Sequence, residues 1–220
     1  TPIVNRLGGI TALRLAASDD TRIQRIAHPV ASYARYLTEE LGVDPKAIRD
    51  SGIRVIVDPQ FGMGGFLRDV LDTLGIGVEQ VAFINETPDP NFGGKRNAEV
   101  TPENLEDLKD AISGGAADLG LSMDGDGDRA GAMTESLFFN GNTFAATLAY
   151  GILKQAREDA GDAWDPSHYV IVRPIVTSAW VDAIAASFGV PEENIRITPV
   201  GFKHLNGAIL DARREGKEVV

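Results

Sequence analysis

Ile53-Arg54-Val55-Ile56-Val57-Asp58-Pro59, followed by the run from Phe66 to Leu74 that Gly75 closes, decides the fold class. The first stretch is a β-branched run stopped by Asp-Pro, which reads as a strand. The second spaces its apolar residues as one helix face and ends on glycine. The same unit follows at once. Val78 to Ile84 reads as a strand, Thr101-Pro102-Glu103 opens a helix through Ile112 with a threonine cap and an acidic first turn, and Ala117 to Met123 is an apolar strand. Strands alternating with helices predict an α/β fold with helices on both faces of mixed, mostly parallel sheets.

Outward from this core, His28-Pro29 starts a helix carrying Val30, Tyr33, Ala34, Leu37 and Leu41 on one face before Gly42, and Pro45 to Asp50 forms a short helical turn. Beyond Asp128, Ala130–Thr134 and Ser136–Asn140 read as a hairpin, with Gly141-Asn142 ending its second strand. A second α/β series then runs through a helix from Thr143 to Asp159, a polar turn from Gly161 to Pro166, and a strand from His168 to Val172. A helix from Thr177 to Phe188, with Thr177-Ser178 as its cap, a strand over Ile195–Ile197 and a helix over Lys203–Glu215 complete it. The expected organisation is two three-layer α/β/α units, 28–141 and 142–220, after an N-terminal segment 1–27 of unassigned role. Lys217 to Val220 looks like a strand just beginning.

Composition narrows the function classes. The 220 residues are 43% apolar and 24% charged, enough for a buried core and far from disordered, collagenous or coiled-coil compositions. No apolar run reaches the roughly 18 to 20 residues of a membrane span, and the start lacks a signal-peptide layout, so a soluble cytoplasmic protein is expected. The formal charge of −11, from 32 acidic and 21 basic residues, opposes nucleic-acid binding while leaving room for a small phosphorylated ligand. With no cysteine and three histidines, a metal would be held mainly by oxygen.

The most specific feature is Met123-Asp124-Gly125-Asp126-Gly127-Asp128-Arg129, three carboxylates alternating with two glycines directly after an apolar strand. Carboxylates so close repel one another unless a cation is present, and the glycines let the backbone curl so that alternate side chains converge. Hard oxygen ligands favour Mg²⁺ or Ca²⁺. Three other readings compete. One is a solvated acidic turn. Another is a calcium loop, with Asp124, Asp126 and Asp128 at its first, third and fifth positions and Glu135 at its twelfth, though Arg129 stands where that loop needs glycine. The third is a phosphatase of the haloacid-dehalogenase type, with Gly161-Asp162 and Asp165 imitating its later acidic motif.

Taken together with three other stretches, this loop gives the chain a resemblance to the α-D-phosphohexomutase family, which includes phosphoglucomutases and phosphomannomutases. Asp124 to Arg129 is similar to its magnesium loop, and Val57-Asp58-Pro59 with Gly62 to Gly65 to the first strand and turn of its second domain. Pro88 to Gly94, through Thr101-Pro102-Glu103-Asn104-Leu105, resembles the segment leading to that loop. Thr198-Pro199-Val200-Gly201-Phe202-Lys203 resembles the sugar-facing loop of the third domain. The matches span residues 28 to 210 in the family's order.

The resemblance implies Mg²⁺ as cofactor, ligated by Asp124, Asp126 and Asp128, and a reaction that interconverts hexose 1-phosphate and hexose 6-phosphate through a phosphoserine and a hexose bisphosphate. It implies Arg129 as a catalytic residue holding charge near the transferring phosphoryl group, and Val200, Gly201 and Lys203 as substrate contacts. Each has a plainer reading: Arg129 as a structural partner of the aspartates, Lys203 as a solvated lysine, and Lys95-Arg96 as an exposed loop pair. The family's Ser-His-Asn-Pro loop does not occur here, since Ser167-His168 is followed by Tyr169-Val170. Nor do its Gly-Glu-x-Ser-Gly loop and last domain. Asn97-Ala98-Glu99-Val100 replaces a proline-rich form. The expectation is therefore the second domain and most of the third of a phosphohexomutase, inactive alone, with the hexose unspecified. The competing class is a non-catalytic metal- or sugar-phosphate-binding module.

Overall fold

Strand β1 (Val55–Asp58) places Val55 and Val57 on one face of its sheet and Ile56 on the other, and both faces are covered. A computed structural model describes residues 28–95 and 97–220. The chain divides into Thr1–Val43 and Asp44–Val220. In the first, helix α1 (Pro29–Glu39) starts with proline at a first-turn position, where its missing N–H costs nothing, and buries Ala34. The expected segment 1–27 lies outside the described residues.

In Asp44–Val220, α2 (Pro45–Asp50) is capped by Asp44, whose side chain accepts from the Lys46 N–H. After β1 come a 3₁₀ turn at Met63–Phe66, α3 (Leu67–Thr73) and β2 (Val81–Phe83). The strand expected from Val78 is shorter because Gly77 to Gln80 form a turn, the Gln80 N–H donating to the Gly77 carbonyl. A 3₁₀ turn at Pro102–Asn104 precedes α4 (Glu106–Ile112), and β3 (Leu119–Met123) follows. The expected continuous helix from Thr101 is thus split at Leu105, and Thr101 makes no side-chain cap. Antiparallel β4 (Ala130–Met133) and β5 (Phe138–Phe139) complete a sheet of order β2-β1-β3-β4-β5, in which β2, β1 and β3 are parallel.

Leu105, Leu108, Ile112 and Met133 pack with Ile56 on one face of this sheet, and Ile76, Leu71 and Leu74 pack with Val55 and Val57 on the other. Burial on both sides is why this stretch reads as an unbroken apolar run.

Asn140, not Asn142, ends the hairpin: its side chain accepts from the Asn142 and Thr143 N–H groups and starts α5 (Gly141–Ala160). Gly141 therefore opens a helix where a strand end was expected. Strand β6 (Tyr169–Pro174), α6 (Trp180–Ser187), β7 (Ile195–Thr198), α7 (Phe202–Arg214) and β8 (Glu218–Val219) follow. The helix expected from Thr177 starts only at Trp180, with Ala179 at the cap position and no side-chain cap; the Ser178 hydroxyl accepts from the Trp180 N–H at 3.2 Å in the turn before it. The second sheet, β7-β6-β8, is wholly parallel. Leu153 of α5, Ile171 of β6 and Ala185 of α6 share one core, and α7 lies against all three strands. Lys217 to Val220 does form a paired strand, with Glu218 opposite Tyr169 and Val219 opposite Val170. Among the described residues no helix is long and apolar enough to cross a membrane.

Candidate metal centre

Parallel strands leave their carboxyl ends as a crevice where loops gather, and both sequence-derived sites lie at such ends. Asp124 follows β3, and Val200 to Lys203 follow β7. Asp124, Asp126 and Asp128 converge, each offering a carboxylate oxygen within 4.8 Å of the others. Asp124 is buried, whereas Asp126 and Asp128 are exposed.

The curl that brings them together is held from several directions. Gly127 is left-handed at φ 76°, and its N–H donates to the Asp124 carbonyl at 3.1 Å. The Asp124 N–H donates to the Arg129 carbonyl at 3.2 Å, and the Arg129 N–H donates to Asp124 Oδ1 at 3.0 Å. Below the loop, the Gly125 carbonyl accepts from the Met63 N–H and the Gly125 N–H donates to the Ala98 carbonyl, each at 3.0 Å. The loop rests so closely on the turn after β1 that a Cβ on Gly62 would sit 2.4 Å from the Gly125 oxygen.

Asp124 Oδ2 is buried and has no hydrogen-bond donor, although Arg129 Nε lies 2.5 Å away in an orientation that forms an ion contact only. Burial raises the Asp124 carboxyl, but the Arg129 N–H bond and guanidinium charge outweigh it and hold the group below its ordinary value. The same guanidinium contacts Asp128 Oδ1 at 3.2 Å and pairs with Glu99. A buried carboxylate oxygen without a donor, beside two exposed carboxylates, is the donor set of a hard divalent cation, so these residues fit Mg²⁺.

Val200 is exposed, Gly201 takes φ 123°, and Lys203 is exposed in the first turn of α7. Among the described residues no hydrogen bond or ion pair joins these three to the aspartates. The other readings of the acidic loop lack their settings. The loop follows a strand where a calcium loop needs a helix, and Glu135 is exposed in the β4–β5 turn. Asp165 of the supposed phosphatase motif accepts from the Ser167 N–H at 2.9 Å, a local turn bond.

Three contributors are not legible in sequence. Lys95, which reads there as solvated, is one. Its side chain is only 15% exposed, with Nζ donating to the Asn104 carbonyl at 2.6 Å and lying 3.9 Å from Asp58 and from Asp107. Its partner in that expectation, Arg96, lies outside the described residues. Gln60 is fully buried and donates from Nε2 to the Met123 carbonyl at 3.0 Å. Glu99 meets Arg129 across 30 residues of sequence. The available signals were a glutamine inside a Gly-rich turn and an acidic residue just before Thr-Pro-Glu.

Residues 31–137 match the family model described as phosphoglucomutase/phosphomannomutase, α/β/α domain II. A Methanopyrus kandleri protein assigned as a phosphoglucosamine mutase is 36% identical over 175 residues, covering 79% of this chain and 34% of that protein. A phosphoglucomutase of Rhizobium radiobacter is 30% identical over 191 residues, 85% of this chain and 33% of its own length. The solved structure of a Thermus thermophilus protein assigned as a phosphomannomutase gives a TM-score of 0.62 at 27% identity, covering 79% of this chain and 37% of that one. The chain spans about a third of the length of the curated relatives it matches.

Proposed function

Since the chain belongs to the α-D-phosphohexomutase family, we propose that it supplies the magnesium loop and part of the sugar-facing surface of an enzyme interconverting hexose 1-phosphate and hexose 6-phosphate. The observation that carries this reading is the convergence of Asp124, Asp126 and Asp128, with the buried Asp124 Oδ2 met only by the Arg129 ion contact. Relatives assigned to glucose and glucosamine phosphates match alike, so the substrate is a hexose phosphate of unspecified sugar, with a hexose bisphosphate as intermediate. The domain II match over 31–137 supports reading 28–141 as that domain, and the separate parallel sheet of β6, β7 and β8 is the reason for reading 142–220 as part of domain III.

In this reading Asp124, Asp126 and Asp128 hold Mg²⁺, and when bound the ion screens the phosphoryl oxygens from an incoming hydroxyl. Arg129, 58% exposed at its side chain, holds the aspartates through Nε and Glu99 through one terminal nitrogen, which leaves its other terminal nitrogen to bind an anionic phosphoryl oxygen. Glu99 holds that guanidinium beside the carboxylates. Val200 and Gly201 offer backbone groups to sugar hydroxyls and Lys203 a cation to the phosphate. No Ser-His-Asn-Pro stretch occurs among the 220 residues, so the isolated chain lacks a phosphate-carrying serine and does not turn over.

The test is calorimetric titration of the chain with Mg²⁺ and with Ca²⁺, beside Asp126→Ala. Mg²⁺ binding that Asp126→Ala abolishes supports the reading. Absence of Mg²⁺ binding, or selective Ca²⁺ binding, overturns the metal assignment. Mutase turnover by this chain alone, with Mg²⁺ and an activating bisphosphate, overturns the prediction of inactivity.

A further inference from the structure

Gln60 is an anomaly in the core. Its side chain is completely buried, its backbone is left-handed at φ 51°, and its Oε1 has no hydrogen-bond donor. A long polar residue so placed loses solvation at one end, and a left-handed backbone disfavours any residue with a Cβ. What it gains is one contact, the Nε2 bond to the Met123 carbonyl at 3.0 Å.

That contact falls at a specific point in the sheet. Strands β1 and β3 pair in parallel as far as Asp58 opposite Ser122. Past Asp58 the chain enters Pro59, which has no N–H, and turns away at Gln60 and Phe61, both with positive φ. The last residue of β3, Met123, therefore has no β1 backbone beside it, and the Gln60 carboxamide takes the place of the missing ladder bond. Ser122 Oγ lies 3.4 Å from the same carbonyl, but its hydrogen goes to the Asp58 carbonyl at 2.9 Å. The next residue is Asp124, the buried member of the acidic triad.

We propose that Gln60 is a positioning residue for the metal loop: by fixing the Met123–Asp124 peptide it sets the direction from which the Asp124 carboxylate meets the ion. The proposal rests on the magnesium reading above. It makes a prediction about ion selectivity, because Mg²⁺ demands near-ideal octahedral geometry whereas Ca²⁺ accepts irregular ligand sets. A residue that tunes ligand direction changes Mg²⁺ affinity more than Ca²⁺ affinity.

Gln60→Met is the discriminating variant. It keeps length and bulk and removes the buried Oε1 that lacks a partner, but it also takes the donor from the Met123 carbonyl, so its two effects on stability oppose each other and the metal titrations carry the test. Gln60→Asn, which tolerates the left-handed backbone but is one methylene shorter, provides a second route if the methionine variant does not fold. Each chain is titrated with Mg²⁺ and Ca²⁺ by calorimetry and unfolded thermally without metal. The expected result is a Mg²⁺ dissociation constant raised about tenfold or more and a clearly smaller rise for Ca²⁺, with the metal-free midpoint showing that each variant is folded. Mg²⁺ affinity within twofold of the unaltered chain overturns the proposal. So does an equal fold loss of affinity for both ions. If the unaltered chain binds no Mg²⁺, the failure belongs to the metal assignment and not to Gln60.

Discussion

Arg129 bridges the acidic loop from outside, its Nε standing 2.5 Å from Asp124 Oδ2 and 3.2 Å from Asp128 Oδ1. One guanidinium thereby neutralises two of the three carboxylates that would hold a cation, so arginine and metal answer the same charge.

Arg129→Gln should expose this shared role. Asp124 is buried, and removing its cation leaves a desolvated charge, while the exposure of Arg129 itself moderates the loss through solvent screening. We expect the metal-free variant to lose about 1–3 kcal/mol in a urea titration. Mg²⁺ should then restore much of it, because a ligand stabilises in proportion to its binding of the native state. An equal loss with and without Mg²⁺ contradicts the shared role.

Asp58 titrates against the usual trend for carboxylates. It is fully buried at the end of β1, and burial raises its carboxyl above the ordinary value despite the Gln60 N–H, Lys95 and Asn85. Because the folded state holds this proton more tightly than the unfolded chain does, the contribution is present below the ordinary carboxylate range. It is lost as pH rises through the raised folded value. Asp58→Asn removes the penalty while keeping an acceptor for the Gln60 N–H, 2.7 Å away. The stability of the variant relative to the unaltered chain should therefore increase from pH 3.5 to pH 7. A relative stability that stays flat or declines over that interval, in midpoints measured without metal, refutes it.

The alternation of strand and helix and the acidic triad were legible in sequence because both are local. Val55 to Val57 carries its β signal in its own residues, and Asp124, Asp126 and Asp128 converge through two intervening glycines. The parts that could not be read depend on strand adjacency. Lys95 looks like an exposed loop lysine until the end of β1 and the first turn of α4 bring Asp58 and Asp107 around it. Gln60 gains its partner across 63 positions because β1 stops one residue pair short of the end of β3. The misread helix starts have a different cause. Thr101 is a good cap by type, but a 3₁₀ turn intervenes after it; Gly141-Asn142 looks like a strand end by its turn residues, but Asn140 satisfies the N–H groups two and three residues on and starts the helix there.

Gly62→Ala tests how closely the loop rests on the turn after β1. Its φ of −91° suits any residue, so only the steric conflict operates: the new Cβ meets the Gly125 carbonyl oxygen at 2.4 Å and the Gly125 Cα at 2.7 Å. Backbone cannot rotate aside as a flexible side chain can, so the Met63 to Gly125 hydrogen bond must lengthen. We expect a loss of about 1–3 kcal/mol together with weakened Mg²⁺ binding. Thermal unfolding and calorimetry on one preparation check both, and unchanged Mg²⁺ affinity at reduced stability separates the turn from the ligand geometry.

The second sheet carries its own buried charge. Arg173, near the end of β6, is 7% exposed. It forks onto Asp182 of α6, with Nε to Oδ1 at 2.6 Å and a terminal nitrogen to Oδ2 at 2.5 Å, while its other terminal nitrogen donates to the Thr177 carbonyl at 3.0 Å. The fork fixes the turn between strand and helix at the edge where Ile175 also donates to the Thr198 carbonyl, one residue before the Pro199 to Lys203 loop. Asp182→Leu alone strands a buried guanidinium and should cost about 2–4 kcal/mol, somewhat less than a wholly buried pair because Asp182 is partly exposed. Arg173→Met with Asp182→Leu removes both charges and leaves apolar side chains of similar bulk, so the double variant should be more stable than Asp182→Leu alone. A double-mutant cycle in guanidinium chloride measures the coupling directly. A double variant that loses the full sum of the single changes shows instead that the pair contributes through the bond to Thr177 or through packing, and that the charges themselves are independent.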